Sequence, residues 1–358
     1  MGSAILAAMA DPDAAVELPV VLTDIRAAVE DALFEFLAEE RTALAAEHPA
    51  FLPLFDEVDR LVRAGGKRLR PMFCWLGYRA GGGTDEHAIA RAAAALELFH
   101  TFALIHDDVM DESVERRGAP TIHVRMTEGR EPSPDAERFG LSAAILAGDF
   151  AMVLADHLFL HARFPPDRLA AAFRRYNRMR VEVAVGQFLD LEGSGRNVDE
   201  TEARRISSLK SGSYTVEGPL QVGAILAGAP IEILSVLSAY GGPLGEAFQI
   251  RDDVEGALRG DLDLAQARPT VVLAKAHELA GSSDLAFLEQ AVAGGSMSEE
   301  DRRRVIGILH SSGALEVAGS LADALIGDAV NALDPKLLDP SVAEPLRALA
   351  DALRIPPA

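Results

Sequence analysis

Asp107, Asp108 and Asp111 form a DDxxD string. At about 100° per residue, Asp107 and Asp111 fall on one helix face one turn apart, where their carboxylates can share a hard cation that takes six oxygen ligands, as Mg²⁺ does. A solvated acidic turn is the alternative reading. It fits poorly after Leu96, Leu98, Phe99, Phe102, Leu104 and Ile105, because a helix that apolar is buried on several sides and carries its acids into a cavity. A second carboxylate pair, Asp252 and Asp253, ends another apolar stretch, and residues 105–109 (IHDDV) and 250–254 (IRDDV) agree at four of five positions. Carboxylates alone seldom gather that much cation; a diphosphate ligand would.

The complementary charges are present. Gly65-Gly66-Lys67-Arg68-Leu69-Arg70-Pro71 presents three cations after a glycine pair that lets backbone approach a ligand, and Arg116-Arg117-Gly118 follows DDxxD closely. Guanidinium forks match phosphate oxygens in bidentate fashion. Either cluster alone reads as a surface charge run. The chain, however, carries 34 Lys and Arg against 55 Asp and Glu, a formal charge of −21. That balance argues against a basic surface for nucleic acid or anionic membranes, so any polyanion is bound locally.

The elements that position these groups read as helices. Among 358 residues, apolar side chains recur at three- and four-residue spacing, as in Ile25, Val29, Leu33, Phe36 and Leu37, and again around 54–63, 88–112, 141–162, 168–191, 200–211, 215–227, 231–256, 269–280, 301–309 and 314–332. Glycine, proline and serine punctuate them. No period-2 alternation competes, and no linker separates two differently patterned halves. The pattern predicts a single all-α domain over 18–355, a flexible tail over 1–17 without a signal peptide, and a surface loop over 127–138. No uncharged apolar run reaches about 18 residues, which predicts no membrane span. The one cysteine, Cys74 beside Trp75, allows no intramolecular disulfide and no Cys-based zinc site; it reads as core, in a reducing compartment, with cytoplasm the default.

Taken together these residues resemble the trans-isoprenyl diphosphate synthases, or polyprenyl synthetases, in motifs that follow in order over most of the chain. GGKRLRP (65–71) is similar to the family's isopentenyl diphosphate motif, and FHTFALIHDDVMDESVERRGAPTIH (99–123) to its first aspartate-rich region. LAGD (146–149) and GQFLDL (186–191) are similar to its helix signatures, LKSGSYT (209–215) to its Lys-Thr motif, and AFQIRDD (247–253) to its second aspartate-rich region. The resemblance implies a helical bundle around a deep central cavity, a homodimer, and Mg²⁺-dependent head-to-tail condensation of isopentenyl diphosphate with an allylic diphosphate. It implies that Asp107, Asp108, Asp111, Asp252 and Asp253 hold several Mg²⁺ ions and that Arg116, Lys210 and Arg259 clamp the allylic diphosphate. Lys67, Arg70, His100 and Arg117 would hold isopentenyl diphosphate, while Ser211 and Gln249 would join Lys210 where cationic charge develops. The second motif departs from the family, with Gly256 at its fifth position and Glu255 as a substitute ligand. The segment after it is short and lacks the family's lysine, leaving Arg259 as the nearest cation, and Arg268 replaces a common lysine.

Resemblance and helix geometry together address product length. Below Asp107, at about 1.5 Å per residue, lie Ala103 at about 6 Å, Phe102 at about 7.5 Å and Phe99 at about 12 Å. Ala103 is about 40° round the helix from Asp107, Phe99 about 80° and Phe102 about 140°. Small Ala103 leaves the path open and Phe99 is the better floor; the resemblance implies that a bulky residue at the position of Phe102 limits chains to C15 or C20, and the adjacent small Ala103 favours geranylgeranyl diphosphate (C20) over farnesyl diphosphate (C15). Two rival readings share part of this pattern. A class I terpene cyclase needs no second diphosphate site, so Lys67, Arg70, His100 and Arg117 speak against it. A non-catalytic or altered-function partner subunit would have lost metal ligands, and the first aspartate motif is intact.

Overall fold

A computed structural model describes residues 20–354 apart from Asp261; the tail expected over 1–17 lies outside the described residues. They divide into two compact units, an amino-terminal one of residues 20–75 and 84–169 and a carboxy-terminal one of residues 76–83 and 170–354.

In the amino-terminal unit, α1 (Val20–Glu47) buries Leu22, Ile25, Val29, Leu33, Phe36 and Leu37, the stripe that the spacing predicts. A 3₁₀ turn, Pro49–Phe51, leads into α2 (Leu52–Arg63). Gly65 and Gly66 then turn the chain with φ of 87° and 149°, conformations open to glycine, before α3 (Leu69–Ala80). α4 (Glu86–Met110) starts at the N-cap Asp85, whose side chain accepts from Ala88 N–H, and carries DDxxD at its far end. A ribbon of β1 (Glu115–Arg116) and β2 (Ala119–Pro120) follows, paired antiparallel with Arg116 opposite Ala119. Its two turn residues, Arg117 and Gly118, both have positive φ, the backbone a tight hairpin needs. After α5 (Ile122–Arg125) comes α6 (Pro134–Leu160).

The loop expected to run to 138 therefore ends at Ser133. Its side chain accepts from Ala136 N–H, Pro134 occupies the first turn, and Asp135 and Glu137 suit the positive end of the helix dipole. α6 packs against α4 through small residues, Ala143, Ala144, Ala147 and Ala151, which meet Ile105 and Phe102. The expectation of no membrane span needs one correction. By length and composition α4 and α6 could each cross a membrane, because the scattered charges that interrupt the apolar run still leave its mean hydropathy at 1.5 and 1.7; 72% and 50% of these stretches are buried within the protein.

In the carboxy-terminal unit, α7 (Pro166–Gly193) is followed by α8 (Glu200–Ser207), a π-helix over Ser208–Glu217, α9 (Gly218–Ala227) and α10 (Ile231–Arg259). The break expected near 212–214 is instead this wide helix. A Cβ on Gly245 would sit 2.3 Å from the Gly212 carbonyl oxygen, so the glycine pair lets π-helix and α10 meet backbone to backbone. α10 is the central element, burying Ile233, Leu237, Tyr240, Leu244 and Ile250, and it ends at Gly260 in the left-handed conformation. Around it come α11 (Leu262–Ala265), α12 (Val271–Leu279), α13 (Ser282–Ala293), α14 (Glu299–Ser311), α15 (Ala314–Ala332) and α16 (Pro340–Asp351). α16 is docked by a hydrogen bond from the buried Tyr240 hydroxyl to the Leu346 carbonyl, 2.7 Å.

Candidate active site

DDxxD sits where α4 runs out. Asp111 is the C-cap, its N–H donating to the Asp107 carbonyl at 2.8 Å, so three carboxylates gather at the negative end of a helix dipole. Asp108 and Asp111 are buried. The cation that meets them comes from the ribbon: Arg116 Nε donates to Asp108 Oδ1 at 2.7 Å, and its Nη2 reaches Asp107 Oδ2 at 3.4 Å. Burial pushes the Asp108 carboxyl upward, Arg116 opposes this, and the neighbouring Asp107 charge adds to it. A further positive charge at this turn is favoured.

The glycine-rich loop is set by a buried ion pair. Arg68 has φ +50°, a costly conformation for a side-chain-bearing residue, and is held there from three sides. Its guanidinium meets Glu97 Oε1 at 2.6 Å, Glu30 Oε1 at 3.1 Å and the Val62 carbonyl at 2.7 Å. Arg68 is thus a structural pin, while Lys67 and Arg70 flank it. Arg117 donates to the Leu61 carbonyl at 3.2 Å, and a Cβ on Gly66 would come within 2.9 Å of its Nη2. The His100 imidazole is held well below its ordinary pKa, first by loss of hydration and then by Arg70, Arg117, Arg116 and Arg68. Of the residues expected at the isopentenyl diphosphate site, Arg70, His100 and Arg117 share one strongly positive field. A buried pair stripped of one partner leaves the other charge stranded, so Glu97→Ala is expected to cost about 3–5 kcal/mol in urea unfolding, whereas a loss under about 1 kcal/mol would show that Arg68 does not depend on it.

In the carboxy-terminal unit, Lys210 on the π-helix donates to Asp190 Oδ2 at 2.7 Å, and Arg268 Nη1 lies 3.6 Å from the same oxygen. The backbone comes this close because position 186 is glycine: a Cβ there would sit 2.2 Å from Lys210 N. Asp190 is buried and orients two cations. The GQFLDL string contains it, yet on a helix that also carries Asp167, Glu182 and Glu192 it gave no sign of this pairing. Ser211 is buried beside Lys210.

On α10, Asp252 is exposed and Asp253 buried. Gln249, expected where cationic charge develops, donates its amide to Asp253 Oδ1 at 2.7 Å and so orients that carboxylate. Burial raises the Asp253 carboxyl well above the ordinary range; Gln249 opposes this, and Asp263, Asp252 and Asp190 reinforce it. Its other oxygen, Oδ2, is buried without a hydrogen-bond partner. Glu255, the substitute ligand, turns to Arg251 at 3.0 Å and Arg259 at 3.8 Å. Arg259 is 67% exposed at the end of α10.

Among the described residues no three His, Cys, Asp or Glu side chains close into a metal cluster by themselves. The donors nonetheless fit Mg²⁺. They are hard oxygens, one is buried without a hydrogen-bond partner, and others already accept from Arg116 or Gln249, so part of a six-coordinate shell would fall to phosphate oxygens and water.

Comparison with known proteins agrees with this chemistry. The family model described as polyprenyl synthetase matches residues 53–309. The chain is 34% identical over 276 residues to a geranylfarnesyl diphosphate synthase of Aeropyrum pernix, covering 73% of this chain and 81% of that protein. It is 30% identical over 292 residues to a geranylgeranyl diphosphate synthase of Sulfolobus acidocaldarius, covering 78% and 84%. The crystal structure of a geranylgeranyl pyrophosphate synthase from Corynebacterium glutamicum, complexed with isoprenyl diphosphate and magnesium, superposes with a TM-score of 0.85 at 31% identity, covering 92% of this chain and 98% of that one.

Proposed function

The chain belongs to the polyprenyl synthetase family, and on that premise we propose that it is a trans-prenyltransferase that joins isopentenyl diphosphate head to tail to an allylic diphosphate, with geranylgeranyl diphosphate as its main product. The observation that carries the reading is the pairing of carboxylate clusters with separate cationic groups: Arg116 on Asp108, Arg70 and Arg117 around the His100 imidazole, and Lys210 and Arg268 on one aspartate.

Charge dictates the mechanism. Asp107, Asp108 and Asp111 would hold Mg²⁺, and so would Asp252 and Asp253; the metal would supply positive charge to a leaving diphosphate. Arg116 beside the first aspartate motif and Lys210 on the π-helix would each supply positive charge to diphosphate oxygens as the C–O bond breaks and negative charge builds on them. The electron pair leaves with pyrophosphate, and the remaining allylic cation is attacked by the isopentenyl double bond. Loss of a proton to the bound pyrophosphate then restores a neutral hydrocarbon chain. Lys67, Arg70, His100 and Arg117 keep the second diphosphate, which does not leave. The buried Ser211 would direct its dipole where the cation develops, and the Gln249 amide holds the Asp253 carboxylate in place. The deciding test is pyrophosphate release: it should require Mg²⁺ and both substrates. Release from an allylic diphosphate alone would indicate a cyclase, and no release with any allylic substrate would indicate a non-catalytic subunit.

A charge that only binds acts on affinity. Lys67→Ala is expected to raise the KM for isopentenyl diphosphate about ten-fold or more with kcat changed little. An unchanged KM with a collapsed kcat would move Lys67 to the leaving-group site.

For product length, Phe102 packs into the cluster of Leu54, Val58, Leu61 and the α6 alanines, and Phe99, 1% exposed, stacks on Phe102 with centroids 5.4 Å apart. Ala103→Phe is expected to shorten the product toward C15, and Phe99→Ala to lengthen it. Unchanged product mass in both would show that α4 is not the ruler. A homodimer completes the proposal. It is supported by Phe139, Leu146, Val153 and Leu160, exposed on α6 every seventh residue, an apolar stripe that a second copy would cover.

A further inference from the structure

The two aspartate pairs sit in matching pentapeptides that differ at one position, His106 in the first and Arg251 in the second. That position immediately precedes each pair, and in each unit its side chain does the same thing. His106 Nε2 lies 3.1 Å from the Ile145 carbonyl on α6. A carbonyl can only accept, so Nε2 carries the proton and donates. The ring is seated over Gly148, where a Cβ would come within 2.3 Å of it, and its other side meets the Phe102 ring with centroids 4.7 Å apart. Arg251 is 3% exposed on α10; its Nη1 donates to the Leu353 carbonyl beyond the end of α16, and its Nε to Glu255 Oε1 at 3.0 Å.

We propose that His106 and Arg251 are positioning residues, each tying the helical turn that bears its carboxylate pair to the backbone of another segment of the same unit. This role rests on the aspartates being the metal ligands proposed above. Asp107 and Asp108 lie in the last turn of α4, which frays unless it is tied down, and Asp252 and Asp253 lie about two turns before α10 ends at Arg259. Ligation of a divalent cation needs the oxygens of both pairs held to a fraction of an ångström. A residue one position before an aspartate projects about 100° round the helix from it, so it fastens the turn without occupying the carboxylate face. Residue type follows reach. α4 and α6 pack closely over small residues, and an imidazole spans the gap. The Leu353 carbonyl lies off α10's own helix, and the longer guanidinium reaches it. The carboxy-terminal end of the chain thereby becomes part of the support for Asp252 and Asp253.

The test follows Mn²⁺ binding by the EPR signal of the free ion, with inorganic pyrophosphate present, and hydrogen exchange of the metal-free protein. His106→Leu and Arg251→Met should each raise the Mn²⁺ concentration for half-saturation about ten-fold or more. His106→Gln, which keeps an N–H within reach of Ile145, should recover most of the affinity. Gly148→Ala, which fills the ring's seat, should behave like His106→Leu with the imidazole still present. Exchange should quicken over 107–113 in the His106 and Gly148 variants and over 252–256 in the Arg251 variant, and nowhere else. Unchanged affinity and exchange, faster exchange across a whole unit, or a Gln variant as impaired as Leu would overturn the proposal. If the unaltered protein binds no Mn²⁺ with pyrophosphate, the functional reading fails, and the exchange pattern still decides whether these residues hold their turns.

Discussion

Asp108→Asn is expected to lower turnover by at least about 10³-fold, or about 4 kcal/mol of transition-state stabilisation, with the fold intact. The carboxylate is buried at the negative end of α4, where its own pKa is pushed upward by burial and by Asp107. Such a charge persists only because cations meet it, and Arg116 at 2.7 Å supplies one. The amide keeps the shape and can still accept from Arg116, so the helix end should hold. It removes a full negative charge from the donors proposed for Mg²⁺, and the lost attraction is felt most as charge builds on the leaving group. Steady-state rates at saturating substrates and Mg²⁺, with urea unfolding as the control for folding, check this. Turnover within about ten-fold of the unaltered protein would remove Asp108 from the metal site.

Lys210→Ala is expected to cost about 10²–10³-fold in kcat, with a much smaller change in the KM for isopentenyl diphosphate. Lys210 is held by Asp190 at 2.7 Å on a π-helix that glycine at 186 and 212 lets pack closely, so its ammonium is fixed before substrate arrives. A cation preorganised at a leaving group lowers the barrier more than it tightens ground-state binding. Arg268, on the same carboxylate oxygen at 3.6 Å, would retain part of the charge, which sets the floor for the residual rate. A rise in the isopentenyl diphosphate KM with kcat preserved would place Lys210 at the other diphosphate.

The parts of the site legible in the sequence were those whose side chains repeat at helical spacing or cluster within a few residues. Asp107 and Asp111 one turn apart, the Gly65-Gly66 turn and the stripe on α1 belong to this class, since local geometry alone relates them. What escaped depends on contacts between distant segments. Glu97 sits among Leu96, Leu98 and Phe99, and only its meeting with Arg68, 29 residues earlier, explains a buried acid there. Asp190 gave no sign that it faces Lys210 and Arg268. Gly212 suggested a helix break because its partner glycine, Gly245, is distant in sequence, and Ser133-Pro134-Asp135 suggested a loop although Ser133 is an N-cap.

The most direct measurement is the mass of the product formed from isopentenyl diphosphate with dimethylallyl, geranyl or farnesyl diphosphate in turn, with Mg²⁺ present and with it chelated. Each primer should be extended in five-carbon steps to a diphosphate that is mainly C20, and chelation should abolish extension. Unextended primer in every reaction, or a hydrocarbon without diphosphate, would contradict it.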